Sequence, residues 1–344
     1  MDATKKNSQK IRTLVSKPEF STILIFVVML ILISILQDGF FKRANLLSNV
    51  NAFTPLILMA AGQAVVLISG GLDLSAGTSM ALMLCTMTQI MDPERPITGL
   101  YAILVCIVLV FVIGLVNGLC VGYLRIPAVI ATFATSYLWL GLALFITPTP
   151  SGNIVGWFKI FYNWKPVEGI PEGLKNLSTV LTPALMIIII GIIIWAVIRK
   201  MRIGRYLYAI GSHNDNAFFS GVSTTVVQVK AYLINAVFIM LCALYFAGQN
   251  EAGSANIGDT LTLQAIAASV VGGVSISGGR GNVFMAMLGA VILNLIGRII
   301  YYAKVSSAYQ LLINGIIIIL AISLSALYEY FNHKMLLKGG KDDE

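Results

Sequence analysis

Charged side chains are scarce in this sequence. They make up 11% of its 344 residues, whereas typical soluble domains carry roughly 25%. Hydrophobic residues make up 58%, and apolar runs long enough to cross a bilayer recur along the chain. The sequence therefore predicts an all-α polytopic membrane protein. Its net charge of +8 comes from cations at the ends of the apolar runs, so we expect contact with membrane lipid and none with nucleic acid.

Residues for disulfide, metal or nucleotide chemistry are also few. The cysteines lie in apolar runs without paired spacing, which argues against a disulfide framework and predicts no metal site. They are Cys85, Cys106, Cys120 and Cys242. Both histidines, His213 and His333, fall outside the apolar runs and no HExxH sequence occurs, which disfavours an intramembrane enzyme. The nucleotide-binding pattern GxxxxGKS or GxxxxGKT is missing too, so we expect no ATP, Mg²⁺ or other cofactor in this chain.

Hydropathy predicts ten membrane-spanning helices in a single transmembrane domain, 1–344. The predicted spans are 20–36, 46–68, 74–91, 98–122, 127–146, 180–198, 226–248, 261–277, 282–303 and 308–330. This count places both termini in the cytoplasm, with a cytoplasmic N-terminal segment at 1–19, an external loop at 147–179, a cytoplasmic loop at 199–225 and a cytoplasmic tail at 331–344. No small-residue cleavage site follows the first apolar run, which predicts an uncleaved anchor.

A cluster of four cations near the middle of the chain sets the orientation. Arg199, Lys200, Arg202 and Arg205 follow directly after the apolar run that ends at Ile198. The positive-inside rule places such a cluster at the cytoplasmic end of a membrane helix. Most of the 23 lysines and arginines fall on the same side in this topology, which supports the orientation.

A short helix is predicted just after these cations. Ser212 and Asp215 have the spacing of a capping box, and Gly221 is a suitable stop, so 212–220 is predicted to be helical. Phe218 and Phe219 on such a helix need an apolar surrounding outside the bilayer. The membrane interface and a groove on a partner protein remain open alternatives.

Aromatic residues are dense in the predicted external loop at 147–179. They are Trp157, Phe158, Phe161, Tyr162 and Trp164. Two interpretations remain open for them: an aromatic belt at the membrane interface, or a platform for an external partner.

Small residues recur every fourth position in two predicted spans, which is typical of close helix packing. One set is Gly114, Gly118 and Gly122, and the other is Ala265, Ser269, Gly273 and Ser277. Packing within the chain, a subunit interface and a sliding helix remain open. Neutral polar residues in the spans are candidates for interhelical hydrogen bonds or a hydrated path: Gln63, Asn117, Thr132, Thr135, Ser136, Asn235, Gln264, Asn294 and Asn314.

Two breaks between spans share the pattern GGxxxSxG. The first contains Gly70, Gly71, Asp73, Ser75 and Gly77, and the second contains Gly272, Gly273, Ser277 and Gly279. Irregular backbone near a membrane is tolerated where protein or a water-filled cavity satisfies it, so both breaks are candidate functional turns. Asp73 is the one acidic residue near the bilayer outside an evident loop. We favour a helix-capping role for it over a role in ion coupling.

Four stretches together carry a family resemblance. They are GGLDLSAG at 70–77, NGLCVGYLRIPAVIATFATSYLWLG at 117–141, GRYLYAIGSHNDNAFFSGV at 204–222 and VVGGVSISGGRGNVFMAMLGA at 270–290. In this order they resemble the permease subunits of bacterial ribose- and xylose-type sugar ABC importers. The resemblance implies a multi-pass protein of the bacterial inner membrane that works with a second permease chain, identical or a close paralogue. It also implies a cytoplasmic ATP-binding subunit, which binds ATP and Mg²⁺, and an external, periplasmic solute-binding protein.

The same resemblance implies that the loop at 199–225 couples the permease to the ATPase. The residues it marks are Gly204, Gly211, Asp215, Phe218, Phe219, Ser220 and Gly221. The family commonly has Glu-Ala-Ala and an aliphatic residue where this chain has Asp215, Asn216, Ala217 and the two phenylalanines. A nucleoside or another small polar solute is an alternative cargo. An ion-coupled secondary transporter, with Asp73 as the coupling group, is the alternative mechanism.

Overall fold

The computed structural model describes residues 18–162 and 182–304, together with six separate residues between 309 and 319. In these ranges the regular structure is helical. The first group of helices is α1 (Pro18–Leu36), α2 (Arg43–Ile68), α3 (Ala76–Ile90), α4 (Thr98–Gly122), α5 (Ala128–Ile146) and α6 (Gly156–Tyr162). The second group is α7 (Pro183–Lys200), α8 (Arg202–Ser212), α9 (Asn214–Phe219), α10 (Thr224–Asn250), a 3₁₀ turn (Ala255–Gly258), α11 (Leu261–Val271) and α12 (Val283–Tyr302).

Six of these helices, α2, α4, α5, α7, α10 and α12, are long and apolar enough to cross a membrane. Their bounds lie close to the predicted spans. α3 and α11 are shorter, with 15 and 11 residues. The predicted span 261–277 is therefore wrong in length, because α11 ends at Val271 where two glycines follow. The predicted span 308–330, the segment 1–17, the tail 331–344 and most of the loop 147–179 lie outside the described residues.

The core of the bundle is formed by α2 and α10. The most apolar stretch of α2 is 89% buried and that of α10 is 67% buried. The corresponding stretches of α4, α5 and α7 are only 28–33% buried. Their exposed side chains are mostly large and apolar, for example Val108, Ile130 and Ile193. In a membrane protein such surfaces face lipid or another apolar chain, so α4, α5 and α7 form the periphery.

Contacts between loops assign the connections to two ends of the bundle. At one end, the Gly279 N–H donates to the Ile68 carbonyl (2.9 Å), which joins the two glycine-containing breaks. At the opposite end, Ser151 and Gly253 pair through their backbones, and Asn153 N–H donates to the Thr88 carbonyl. The two breaks thus lie at one end of the bundle, and the end of α3 lies at the other end with the segments around Ser151 and Gly253.

The aromatic residues of the short helix α6 fold back onto the bundle. Phe158 is 4% exposed, and Tyr162 lies against the ring of Tyr245 with 5.9 Å between centroids. A Cβ on Gly248 would overlap the Tyr162 ring, so the glycine makes room for it. The Trp157 indole is half-exposed and donates to the Pro96 carbonyl at 2.9 Å. These aromatics therefore close the end of the bundle, a role that neither sequence-based alternative included.

Candidate functional site

The first break begins where α2 ends. Ser69 is the C-cap, and Gly70 follows with φ +81°. Gly70 N–H donates to the Leu67 carbonyl (2.9 Å) and Gly71 N–H to the Val66 carbonyl (2.9 Å). This is the Schellman arrangement, which needs a left-handed residue and so favours glycine.

The second break begins in the same way at the end of α11. Gly272 is the C-cap, Gly273 has φ +81°, and the N–H groups of Gly273 and Val274 donate to the carbonyls of Val270 and Ser269. Structural equivalence therefore pairs Gly70 with Gly273, which is one residue away from the GGxxxSxG alignment. The two segments therefore have similar sequences because both end a helix in the same way. In this structural alignment Ile276 is equivalent to Asp73.

Asp73 is buried in the first break, with 1% of its surface exposed. Its Oδ1 accepts from the Ser75 N–H (2.8 Å) and from the Ser75 hydroxyl (2.6 Å), and its Oδ2 accepts from Asn235 Nδ2 (2.7 Å). The Gln63 amide, with its nitrogen toward the Asp73 carbonyl, adds two hydrogen bonds of 3.2 Å to the Asp73 backbone. Ser75 is the N-cap of α3, but its hydroxyl makes no capping bond. Asp73 thus holds the turn before α3 and does not cap the helix itself.

A chain of hydrogen bonds extends from Asp73 to the outer helices. Asn117 Nδ2 donates to the Ser75 hydroxyl (2.8 Å), and the Thr135 hydroxyl donates to Asn117 Oδ1 (2.7 Å). Asn235 on the opposite side lies ~16 Å along α10 from Thr224 at 1.5 Å per residue, so the network reaches membrane depth. We call Asp73, Ser75, Asn117, Thr135 and Asn235 the polar network. It ties the first break to α4, α5 and α10.

Thr132 and Gly77 fix the two ends of the backbone segment 72–77 in the first break. The Thr132 hydroxyl accepts from Leu74 N–H (3.0 Å) and donates to Leu72 O at 3.2 Å. Gly77 N–H donates to the Thr262 hydroxyl (2.8 Å), and a Cβ on Gly77 would overlap the Gly258 carbonyl oxygen. The backbone at 72–77 is therefore held on both sides by neighbouring elements.

The faces of small residues pack within the chain. A Cβ on Gly118 would lie 2.7 Å from the Val229 Cα of α10, and Gly114 meets Leu233 in the same way. The Ser269 hydroxyl donates to the Ala60 carbonyl of α2 at 3.1 Å. The glycine face of α4 thus packs within the chain. The second predicted face is wrong beyond Ser269, because α11 ends at Val271 and so Gly273 and Ser277 lie in the second break.

Three glycine-containing segments meet at one end of the bundle, which we call the glycine junction. A Cβ on Gly211 of α8 would overlap the Ile68 carbonyl oxygen and lie 2.5 Å from Gly279 N. A Cβ on Gly278 would lie 2.8 Å from the Gly70 Cα. Only residues without side chains allow these backbones to approach so closely. The junction brings α8 into direct contact with both breaks.

The predicted helix at 212–220 is present as α9, which is shorter and covers Asn214–Phe219. α8 is an additional helix, and α9 starts at Asn214 with His213 as its N-cap. The predicted capping box is wrong, because the Ser212 hydroxyl donates to the Tyr208 carbonyl (2.9 Å) at the end of α8. Asp215 is exposed in the first turn of α9. Gly221 does end α9, with φ +81° and a hydrogen bond from its N–H to the Phe218 carbonyl.

α9 exposes two large apolar side chains next to its polar first turn. Phe218 is 62% exposed and Phe219 is 84% exposed, whereas Ala217 is buried. Ser220 is exposed and donates back to the Asn216 carbonyl. The two phenylalanines lie at the same end of the bundle as the glycine junction.

A half-open cleft of about 650 Å³ lies between α9 and the first break. Both polar and apolar residues line it, and they come from five parts of the chain: Ser69, Gly70, Val121, Gly122, Arg125, Ile210, Gly211, Asn214, Asp215, Phe218, Thr224, Thr225, Gln228 and Ser277. Sequence reasoning missed Arg125 and Gln228. The left-handed backbone of Arg125, φ +54°, is a structural signal that the sequence did not carry.

Apolar helices of membrane-spanning length that pack around a buried polar network are typical of a membrane transport protein. The comparison with known families agrees: the chain belongs to the family described as branched-chain amino acid transport system / permease component, which matches residues 45–322. It is a multi-pass transport permease of the inner membrane.

Named relatives extend over most of the chain. The galactose/methyl galactoside import permease of Salmonella typhimurium (strain LT2) is 33% identical, over 88% of this chain and 93% of the relative. The ribose import permease of Bacillus subtilis (strain 168) is 30% identical over 86% and 89%. That of Escherichia coli (strain K12) is 28% identical over 88% and 92%. No solved structure matches the chain.

Proposed function

We propose that this chain is the permease subunit of a binding-protein-dependent ABC importer and forms the membrane path for a monosaccharide-like sugar. The observation that carries the proposal is the likeness, over at least 86% of the chain, to permeases named for ribose and galactose import. The family description names branched-chain amino acids. The names of the relatives and the hydrogen-bonding side chains of the polar network both favour a sugar. A nucleoside or another small polar solute is the alternative cargo.

The proposed assembly has two permease chains, identical or closely paralogous, each with ten spans and cytoplasmic termini. A cytoplasmic ATP-binding subunit would bind ATP and Mg²⁺, so this chain would need no cofactor. An external solute-binding protein would deliver the sugar at the end of the bundle that carries α6 and the 3₁₀ turn. The position of the two breaks at one end of the bundle and of the end of α3 at the other supports this arrangement.

The glycine junction suggests how the ATPase would act on the membrane path. In this proposal α9 docks on the ATPase through Phe218 and Phe219, whose exposure requires an apolar cover. Gly211 in the adjoining α8 touches the backbone at Ile68 and Gly279. A displacement of α8 would therefore shift both breaks, because close-packed backbones cannot absorb the movement.

Ion-coupled transport is the weaker alternative. Both carboxylate oxygens of Asp73 accept hydrogen bonds from Ser75 and Asn235. Within the described residues Asp73 is the only acidic side chain that is buried. A coupling ion would have to displace these short bonds, so a structural role fits Asp73 better.

A negative charge introduced on α9 tests whether this helix docks on the ATPase. Phe218→Asp and Phe219→Asp would each place an unpaired carboxylate in the apolar groove of the ATPase. Loss of an aromatic anchor there costs ~2 kcal/mol or more. We expect both variants to insert into the membrane and at least one to lose ATPase co-purification and transport-coupled ATP hydrolysis.

The matched control is Phe41→Asp. Phe41 is 64% exposed, close to the 62% of Phe218, and precedes α2 at the opposite end of the bundle. This control should retain the ATPase. Normal co-purification and hydrolysis in both α9 variants would refute the docking assignment. Loss of the ATPase in Phe41→Asp alone would show that the ATPase contacts the end of the bundle opposite α9.

A further inference from the structure

A second, smaller pocket lies where α7, α8 and α12 meet. It has a volume of about 270 Å³ and is lined by Arg199, Gly204, Arg205, Tyr208, Gly281 and Asn282. It includes none of the residues that line the 650 Å³ cleft. Neither the family description nor the relatives' names assign a role to this pocket, which we call the arginine pocket.

The backbone holds the two arginines of the arginine pocket side by side. Gly204 is buried, and a Cβ there would lie 2.5 Å from the Ile198 carbonyl oxygen and 2.8 Å from the Arg199 Cα. The missing side chain lets α8 fold back against the end of α7, which brings Arg205 close to Arg199. The Tyr208 hydroxyl donates to the Gly281 carbonyl (3.0 Å) and fixes the third wall.

The arginine pocket is positively charged and lacks a counter-charge. No aspartate or glutamate of the described residues lines it. The two ion pairs found among the described residues, Arg95–Asp92 and Lys159–Glu251, include neither Arg199 nor Arg205. Both guanidinium groups are exposed. Such a pair suits a phosphate group, which arginine can bind through two parallel hydrogen bonds.

The position of the arginine pocket favours a phosphate on a lipid. Arg199 lies in the last turn of α7, a helix apolar enough to cross the membrane. Ile192 is two helical turns earlier on the same face and is 38% exposed. Val197, 53% exposed, adds apolar surface on another face of α7, and Met201, also 53% exposed, follows the helix as its C-cap. An apolar helix face that leads to two unpaired arginines matches acyl chains below a charged headgroup.

We propose that the arginine pocket binds the headgroup phosphate of an anionic phospholipid, with its acyl chains along α7. Basic pockets between membrane helices on the cytoplasmic side are suited to such headgroups. The proposal rests on α7 being a membrane helix and is independent of the cargo and of the docking role of α9. A lipid in the pocket would connect α7, α8 and α12 at the start of α8, whose other end carries Gly211 of the glycine junction.

Native mass spectrometry of the purified chain tests this proposal, with phosphatidylglycerol and phosphatidylcholine as probes at equal concentration. We expect the wild-type chain to retain phosphatidylglycerol preferentially. Arg199→Gln/Arg205→Gln should weaken its retention about thirtyfold, because each surface arginine contributes on the order of 1 kcal/mol of attraction. If the double variant cannot be purified, each single variant should show a smaller loss in the same direction.

Arg202→Gln is the matched control, because Arg202 is exposed between the two arginines in sequence but does not line the pocket. It should retain phosphatidylglycerol within about twofold of wild type, because Arg202 does not line the pocket and an isolated exposed charge contributes little. An equal loss in this control would indicate diffuse charge attraction and would overturn the proposal, as would unchanged retention in the double variant.

Two further arms distinguish other occupants of the arginine pocket. Inorganic phosphate at millimolar concentration should not displace phosphatidylglycerol, because it lacks acyl chains, and full displacement would indicate a site for free phosphate. The double variant should still bind the ATPase in phosphatidylcholine alone. Loss of the ATPase there would show that an acidic protein surface, and no lipid, occupies the pocket.

Discussion

Asp73 is the residue on which the structure of the first break depends. Three donors converge on its carboxylate: the backbone N–H and hydroxyl of Ser75, and the amide of Asn235. The remaining amide oxygen of Asn235 is buried without a hydrogen-bond partner. Burial of unsatisfied polar groups is costly, so the site is sensitive to any loss of an acceptor.

Asp73→Asn should be tolerated. The new amide oxygen can accept from Ser75, and its NH₂ can donate to the unsatisfied oxygen of Asn235 after that amide reorients. We expect thermal stability in detergent and initial transport rates close to wild type. Complete loss of transport in a stable Asp73→Asn variant would support a coupling-ion role and contradict the structural one.

Asp73→Ala should be damaging, because it removes every acceptor that the aspartate supplies. Each donor left unpaired costs about 1–3 kcal/mol. The melting temperature in detergent should fall clearly below that of Asp73→Asn, and an alanine variant as stable as wild type would show that water replaces the carboxylate.

The members of the polar network were visible in the sequence, but their partnership was not. Asn117, Thr135 and Asn235 stand out as polar residues in apolar runs. Asn235 and Asp73 are 162 positions apart, and no periodicity connects them. Only helix packing decides which polar residues meet. The sequence therefore identified the candidate residues but did not predict which of them hydrogen-bond to each other.

At the scale of elements, the glycine junction links α8 to both breaks. Gly211→Ala adds a methyl group where the Ile68 carbonyl already lies, although alanine is the better helix former. Overpacking of this kind costs about 1–3 kcal/mol. We expect a lower melting temperature and weaker coupling of ATP hydrolysis to transport in the assembled importer.

Gly141→Ala is the control for this prediction. Gly141 is also helical, but no atom lies within 4 Å of a Cβ placed there. Its replacement should leave stability unchanged or raise it by ~0.5–1 kcal/mol, since glycine is unfavourable inside a helix. Equal effects of the two substitutions would refute the close approach at Gly211.

Element boundaries followed from the sequence wherever a stop signal was local. The predicted spans 98–122 and 127–146 are α4 and α5 to within one residue, and Gly221 ends α9 as predicted. The capping box at Ser212 failed because the hydroxyl bonds back into α8, a helix that the sequence analysis did not predict. The GGxxxSxG alignment failed by one residue because matching letters do not identify which glycine takes the left-handed conformation.

At the scale of the whole molecule, the proposed topology makes the end with α9 cytoplasmic. Asn216 on α9 and Glu94 between α3 and α4 are exposed at opposite ends. Cysteine introduced at residue 216 should react with a membrane-impermeant maleimide only from the cytoplasmic side, and cysteine at residue 94 only from outside. The reverse pattern would overturn the orientation, and labelling of both from one side would overturn the order of spans.

Composition and hydropathy were sufficient to predict a helical membrane protein. The four stretches that carried the resemblance lie in the two breaks, in α8 and α9, and along parts of α4, α5 and α12, and they include the glycines of the glycine junction. Side-chain patterns there are constrained by packing and so are recognisable. The arginine pocket and the cleft depend on how separate elements meet, and the sequence contains no local signal for either.

Sugar uptake into proteoliposomes tests the central claim most directly. The chain would be reconstituted with its ATP-binding subunit and solute-binding protein, and accumulation of radiolabelled ribose and galactose would be followed with and without ATP. We predict that accumulation of at least one of the two sugars requires ATP hydrolysis and the binding protein and persists when ion gradients are collapsed. Accumulation by the chain alone, driven by an ion gradient without ATP, would contradict the account.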